Sequence, residues 1–288
     1  MKNIFKNNCC DGIYNSFDIH FTSACDNKCE HCIDLKYSGL NINKPDIRAI
    51  SNTIISNQNG FDDVLFLGGE PCLYLEELLE CIRLIRKNSQ LKIYVTTSVP
   101  KNCFDKKELF YMILEEVDGI NLSVQHYKED IADEIRKTKS KFDRQTFYQN
   151  LPNKNKIRIN LNIVKPFLFT KEELMNCLLH YDKMGFNEIK ISEIQHGTEF
   201  FVSFEEVFNL RLQPAFSTGC QTYLNNEQIF SLIKTPILLK RSCFMCEETL
   251  KASWLDVLKV GFMLMNRKKD MGKYGVVYEN GLLTKQWR

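Results

Sequence analysis

No stretch of the sequence approaches the ~20 apolar residues that a membrane-spanning helix needs, and Met1 to Asp11 lack the apolar core of a secretory signal. Charge of one sign is also missing. The 38 Lys plus Arg stand against 36 Asp plus Glu, a net +2, with no dense basic field of the kind that grips duplex nucleic acid. Neither a membrane nor a nucleic acid is an expected partner, and the expected location is cytoplasmic. Internal repeats and low-complexity linkers are absent as well. With 44% hydrophobic and 26% charged residues, a disordered, collagen-like or coiled-coil chain is excluded. The 288 residues suffice for one large α/β domain with an appendage.

What the chain has in excess is cysteine. Twelve occur without a secretory signal, which points to metal, redox or catalytic use before disulfides. Two groups have ligand-like spacing: Cys25, Cys29 and Cys32, and Cys243 with Cys246, to which Cys220 can be added. Cys72, Cys81, Cys103 and Cys177 fall in or beside helical patterns and read as small buried hydrophobes. Cys9-Cys10 is an adjacent pair with poor chelate geometry.

Strand-like and helix-like runs alternate with short joints, the pattern of a parallel sheet with helical crossovers. Six strands are expected, over 17–21, 64–67, 92–96, 119–124, 157–164 and 188–194. Helices are expected over 47–57, 75–87, 106–117, 130–137 and 171–184. The second shows the rule: Leu75, Leu78, Leu79, Ile82 and Ile85 recur at helical spacing while Glu76, Glu77, Glu80 and Lys87 fall elsewhere. Thr170 followed by Glu173 is a capping box, and Gly185 a C-cap, for the last. Six strands are too few for a complete eight-stranded barrel. The expected fold is α/β, a partial (β/α)6 barrel of parallel strands over 17–194, with an N-terminal tail over 1–16. A C-terminal extension over 195–288 should cover the barrel, with a helix around Trp254 to Leu264 and a final hairpin turning at Asn280-Gly281.

The cysteine triad, C-x3-C-x2-C, lies on the loop after the first strand. Three thiolates there can hold three irons of a 4Fe-4S cluster and leave the fourth open for chemistry. Zinc is the competing reading, but a structural zinc wants four protein ligands, and His31, between two cysteines, would strain the chelate. After the second strand comes Gly68-Gly69-Glu70-Pro71. Paired glycines let a ligand approach the backbone and Glu70 can receive an amine; read alone, the segment is equally a tight turn.

Together these motifs resemble the radical S-adenosylmethionine (SAM) superfamily, over about residues 17 to 194 in architecture. The resemblance implies that Cys25, Cys29 and Cys32 bind the 4Fe-4S cluster. The open iron would chelate the methionine moiety of SAM, and C–S cleavage would give a 5′-deoxyadenosyl radical that abstracts hydrogen from a substrate. It implies SAM contacts at Gly68, Gly69 and Glu70, adenine contacts at His31 and at the strand ending in Ile194, and ribose contacts at Ser123, Gln125, Asn160 and Asn162. Catalytic groups of parallel barrels gather at the C-terminal strand ends, where Thr96, Thr97, Ser98, His126, Lys165, Glu193, Gln195 and His196 also fall. His126 and His196 read as structural or as general acids and bases.

Because the first strand begins at about residue 17, no N-terminal cobalamin-binding or winged peptide-recognition domain is expected. The substrate class stays open between a small molecule, a nucleotide-like compound and a peptide. An electron donor such as flavodoxin or ferredoxin is the expected partner. A glycyl-radical-enzyme activase and a non-catalytic iron–sulfur or zinc protein are the alternatives. Cys220, Cys243 and Cys246 form a candidate second site, read as a second Fe-S cluster, a zinc site or three independent thiols.

Overall fold

In the computed structural model the described residues are 15–32, 44–138, 141–194, 198–208, 216–218, 221–223, 233–240 and 274–284. The βα alternation is β1 (Ser16–His20), α1 (Ile47–Asn57), β2 (Asp63–Leu67), α2 (Leu75–Asn88), β3 (Lys92–Thr97), α3 (Lys101–Asp105), α4 (Lys107–Glu116) and β4 (Gly119–Val124). It continues through α5 (Glu129–Arg136), α6 (Arg144–Gln149), β5 (Ile157–Ile163), α7 (Lys171–Asp182), β6 (Glu188–Glu193) and α8 (Phe204–Phe208). The remaining strands are β7 (Phe216–Thr218), β8 (Gln221–Tyr223), β9 (Ile237–Lys240), β10 (Tyr274–Tyr278) and β11 (Leu283–Thr284).

All lie in one 11-stranded sheet, ordered β11-β10-β1-β2-β3-β4-β5-β6-β9-β8-β7, whose edges do not meet. The fold is α/β with an open, mostly parallel sheet, the partial barrel that the spacing predicts. The expected hairpin is present as β10 and β11, with Gly281 at φ +78°. The described parts of the extension, however, lengthen the sheet rather than only covering it. β10 runs parallel to β1, and β9 parallel to β6. Without them β1 and β6 would be bare edges with unpaired backbone groups.

A parallel sheet covered on both faces reads as continuous apolar runs. These strands alternate instead. Phe17, Ile19, Val64, Phe66, Ile93, Val95, Ile120, Leu122, Ile157, Ile159, Leu161, Ile189 and Ile191 are buried in the apolar core with the helices. The residues between them, including Asp18, His20, Thr96, Asn121, Ser123, Asn160, Asn162 and Ser192, therefore point to the other, inner face. That face is polar. Arg158 and its register partner Glu188, both buried, pair at 3.5 Å near the N-terminal end of β5 and β6.

The helices form as their periodicity dictates. α2 buries Leu75, Leu78, Leu79, Ile82 and Ile85, each worth about 1.5–3 kcal/mol if fully withdrawn from water. Thr170 caps α7 through its hydroxyl, which accepts from the Glu173 amide at 3.3 Å. The helix expected over 106–117 is present as α4, and Lys106, whose φ/ψ of −119°/47° is not helical, separates it from the short α3, which lies outside the expected elements. α6 goes beyond the expected elements: at six residues it is too short to show a period, though Asp143 caps it by accepting from the Thr146 amide at 2.9 Å.

Candidate active site at the strand ends

The loop after β1 carries the triad. Cys25 and Cys29 are half-buried, Cys32 is exposed, and all are free thiols. The Cys32 amide donates to the Cys29 carbonyl at 3.0 Å, which turns the last two cysteines together. The loop is pinned at three places. Phe21 N–H donates to Leu67 O at 3.0 Å, Lys28 N–H to Arg136 O at 2.7 Å, and the Ala24 carbonyl accepts from the Glu70 amide at 2.7 Å.

The Gly68-Gly69 turn exists to let this loop come close. Gly69, at φ +45°, would put a Cβ 2.4 Å from the Ala24 carbonyl oxygen and 2.5 Å from that of Thr22. Gly68, at φ +78°, would put one 2.4 Å from the His20 ring. Both glycines are thus required by the chain's own packing, which the sequence reading attributes to ligand approach. Only a residue without a Cβ satisfies both the positive φ and the contact.

Glu70 is buried, 2% exposed. One carboxylate oxygen accepts from the Cys72 amide at 3.0 Å and the Thr97 hydroxyl at 2.6 Å. The other accepts from the Ser98 amide at 2.7 Å and the Ser98 hydroxyl at 2.6 Å. The carboxylate also caps the 3-10 turn Pro71–Tyr74. With two donors on each oxygen, its lone-pair capacity is used by the chain itself. Burial pushes its pKa up, against the pull of the Ser98 and Thr97 donors.

Burial also raises both partly covered thiols. It carries Cys29 up to about 12, Cys32 adding to the shift and the Arg136 guanidinium opposing it. Cys25 is raised by burial and then by the Glu70 charge. Such thiols are protonated near neutral pH, so metal binding must release their protons. Among the described residues no three His, Cys, Asp or Glu side chains converge on a single ion. A cubane asks for something else, because each thiolate binds its own iron at a separate corner. A soft, all-sulfur donor set on one backbone-pinned loop fits that demand.

Behind the loop, the fully buried Arg136 and Arg144 share two carboxylates. Their Nη1 atoms lie 2.9 and 3.0 Å from Glu129 and 3.4 and 3.1 Å from Asp133. Sequence reasoning missed this quartet: Glu129, Asp133 and Arg136 share α5 at helical spacing, but that Arg144 of α6 joins them is not a local signal. Ser123 and Asn160 are register partners on the inner face, and Asn162 pairs with Ser192 one step nearer the strand ends. Gln125 and Ile194 are buried at the same rim, and His31 is half-buried. The buried side-chain oxygens of Asp26, Asn27, Gln125 and Asn160 accept no hydrogen bond from the described residues.

His126 turns away from that role. It is fully buried, its Nδ1 accepts from the Lys128 amide at 3.0 Å, and its Nε2 faces Glu173 on α7 at 2.8 Å. Burial lowers its pKa. Cys72, Cys81, Cys103 and Cys177 are buried in the apolar core, as expected. Cys9, Cys10, Gln195, His196, Cys220, Cys243, Cys246 and the 254–264 segment lie outside the described residues. No helix among the described residues is long and apolar enough to cross a membrane.

The candidate site thus lies at the C-terminal strand ends of an open, mostly parallel α/β barrel, where such barrels gather their catalytic groups. A model of the Radical SAM superfamily matches residues 19–180, and the chain belongs to that superfamily. Members of that superfamily are enzymes, and membership implies a 4Fe-4S cluster and SAM. Among solved structures, Streptococcus suis SuiB bound to S-adenosylmethionine superposes with TM-score 0.63 at 16% identity over 96% of this chain and 60% of that one. SuiB bound to precursor peptide SuiA gives 0.61 at 12% identity, with the same coverage of 96% and 60%. At these identities the likeness shows the fold alone, and this chain spans 60% of SuiB's length. No curated protein matches the sequence.

Proposed function

We propose that Cys25, Cys29 and Cys32 hold the 4Fe-4S cluster and that the rim around them binds SAM for reductive cleavage. When bound, the cluster and SAM supply an electron and a 5′-deoxyadenosyl radical able to abstract hydrogen from a substrate. The observation that carries this reading is the backbone lock between the two motif-bearing loops: Glu70 N–H to Ala24 O at 2.7 Å, with Gly69 packed on Thr22 and Ala24. It brings an all-thiol donor set and a left-handed glycine turn to one end of the sheet.

The chain's own groups divide the work. The 68–70 turn presents backbone to the methionine part of SAM, and the Glu70 charge adds a favourable field for its ammonium from within its hydrogen-bonded socket. Ser123, Gln125, Asn160 and Asn162 offer hydrogen bonds for the ribose, while His31 and Ile194 flank the adenine. Arg136 and Arg144 place positive charge behind the thiolate loop. The substrate meets the polar inner face, which suits a polar small molecule, a nucleotide-like compound or a peptide, and water exclusion and orientation are what the protein adds to the cofactor's chemistry. An external one-electron donor such as flavodoxin or ferredoxin reduces the cluster.

The test is anaerobic reconstitution with iron and sulfide. The wild type should hold about four irons per cluster and give a reduced-cluster EPR signal that SAM alters. A variant with Ala at all of Cys25, Cys29 and Cys32 that retains the full cluster would overturn the ligand assignment.

A further inference from the structure

One hydroxyl joins the two motif loops through a third element. Ser98, just beyond β3, donates from its Oγ to the Glu70 carboxylate at 2.6 Å and accepts from Asn27 Nδ2 at 2.8 Å. Asn27 lies midway between Cys25 and Cys29 in the triad. A hydrogen bond from the centre of the cysteine loop is not needed to build the sheet, whose strands are already laddered. We infer that Ser98 is a positioning residue, which sets the cysteine loop at a fixed separation from the Gly68-Gly69-Glu70 turn so that cluster and SAM meet in register.

The backbone around Ser98 is itself held in an uncommon shape. Val99, fully buried and β-branched, adopts φ +56°, a conformation that such residues rarely take and that persists only when neighbours enforce it. The enforcing contacts are the Val99 amide donating to the Thr97 hydroxyl at 2.9 Å and the buried Arg144 Nε donating to the Val99 carbonyl at 3.3 Å. Thr97 in turn donates to Glu70 at 2.6 Å. The turn after β3 thus converges on the same carboxylate from two consecutive side chains, and the strained residue behind them stops the turn from relaxing away. Strain kept at the rim of a site, with its contacts directed at that site, is the pattern of a preorganised shell.

The inference rests on the cluster and SAM assignment above, and the experiment separates the two. Ser98→Ala, Ser98→Thr, Asn27→Ala and the Asn27→Ala/Ser98→Ala pair are reconstituted anaerobically beside the wild type. SAM affinity is read by calorimetry, and the SAM-induced change in the reduced-cluster EPR signal by titration. Ser98→Ala should keep its iron and weaken SAM binding about tenfold, the hydroxyl hydrogen bond to the buried carboxylate being lost while the Ser98 amide still donates to it. Ser98→Thr, which keeps the hydroxyl, should restore most of it. Asn27→Ala should reproduce part of the loss, and the double variant should be no worse than Ser98→Ala, because both changes break one relay. Should Ser98→Ala not fold, Asn27→Ala carries the test. Wild-type SAM affinity and an unaltered EPR response in Ser98→Ala or, failing that, in Asn27→Ala overturn the assignment of Ser98 alone. A wild-type protein whose cluster signal ignores SAM overturns the underlying reading and Ser98 with it.

Discussion

The amide of Glu70 donates to the carbonyl of Ala24 at 2.7 Å, one residue before the first cysteine of the triad. Two motifs more than forty residues apart in sequence therefore share a backbone hydrogen bond, and the glycines preceding Glu70 are what let the chains approach that closely. The relation makes the cysteine loop and the glycine turn one structural unit.

Gly69→Ala should be far more damaging than Gly185→Ala. At Gly69 the new methyl would sit 2.4 Å from a carbonyl oxygen, whereas at Gly185, φ +76°, it would meet nothing within 4 Å. Gly185→Ala carries only the strain of a positive φ, about 1 kcal/mol. Gly69→Ala should cost several times that and fail to retain a full cluster. Chemical denaturation and iron content decide it, and equal losses in the two variants would refute the backbone lock.

The buried quartet Arg136, Arg144, Glu129 and Asp133 should tolerate little. Asp133→Ala leaves two buried guanidiniums short of a partner and should cost about 3–5 kcal/mol. The midpoint of urea unfolding measures this, and a loss below about 1 kcal/mol would mean that water supplies the missing partner.

Asp63 gives a pH dependence with a defined sign. Burial pushes its carboxyl up to about 6, with Ser16 pulling against the shift and Asp62 adding to it. A folded pKa above the unfolded value of 3.8 means that the contribution is fully present below about pH 4 and is lost as pH rises through about 6. Asp63→Asn, which cannot ionise, should therefore be more stable than the wild type at pH 7–8, the gap narrowing towards pH 4. Parallel thermal melts across that range would show it, and a gap that widens on acidification would contradict the sign.

Much of this was legible in the sequence because the strands alternate. Phe17, Ile19 and Phe21 against Ser16, Asp18 and His20 announce both a strand and a polar inner face, and the spacing Cys25-x3-Cys29-x2-Cys32 marks the loop proposed to hold the cluster. The destination of the Glu70 carboxylate was not legible, since which donors reach it depends on how far β3 runs past β2. Nor was the parallel pairing of β10 with β1, whose partners lie at opposite ends of the chain and share no local pattern. α6 is six residues long, shorter than the window in which a helical period can be seen.

Cleavage of SAM decides whether the cysteine loop and the glycine turn form a working site. Reconstituted protein, reduced anaerobically and incubated with SAM, should release 5′-deoxyadenosine, and the Cys25→Ala, Cys29→Ala and Cys32→Ala variants should release none. A wild-type protein carrying a full, reducible cluster that leaves SAM intact, with and without an added biological electron donor, would rule out SAM cleavage at this site.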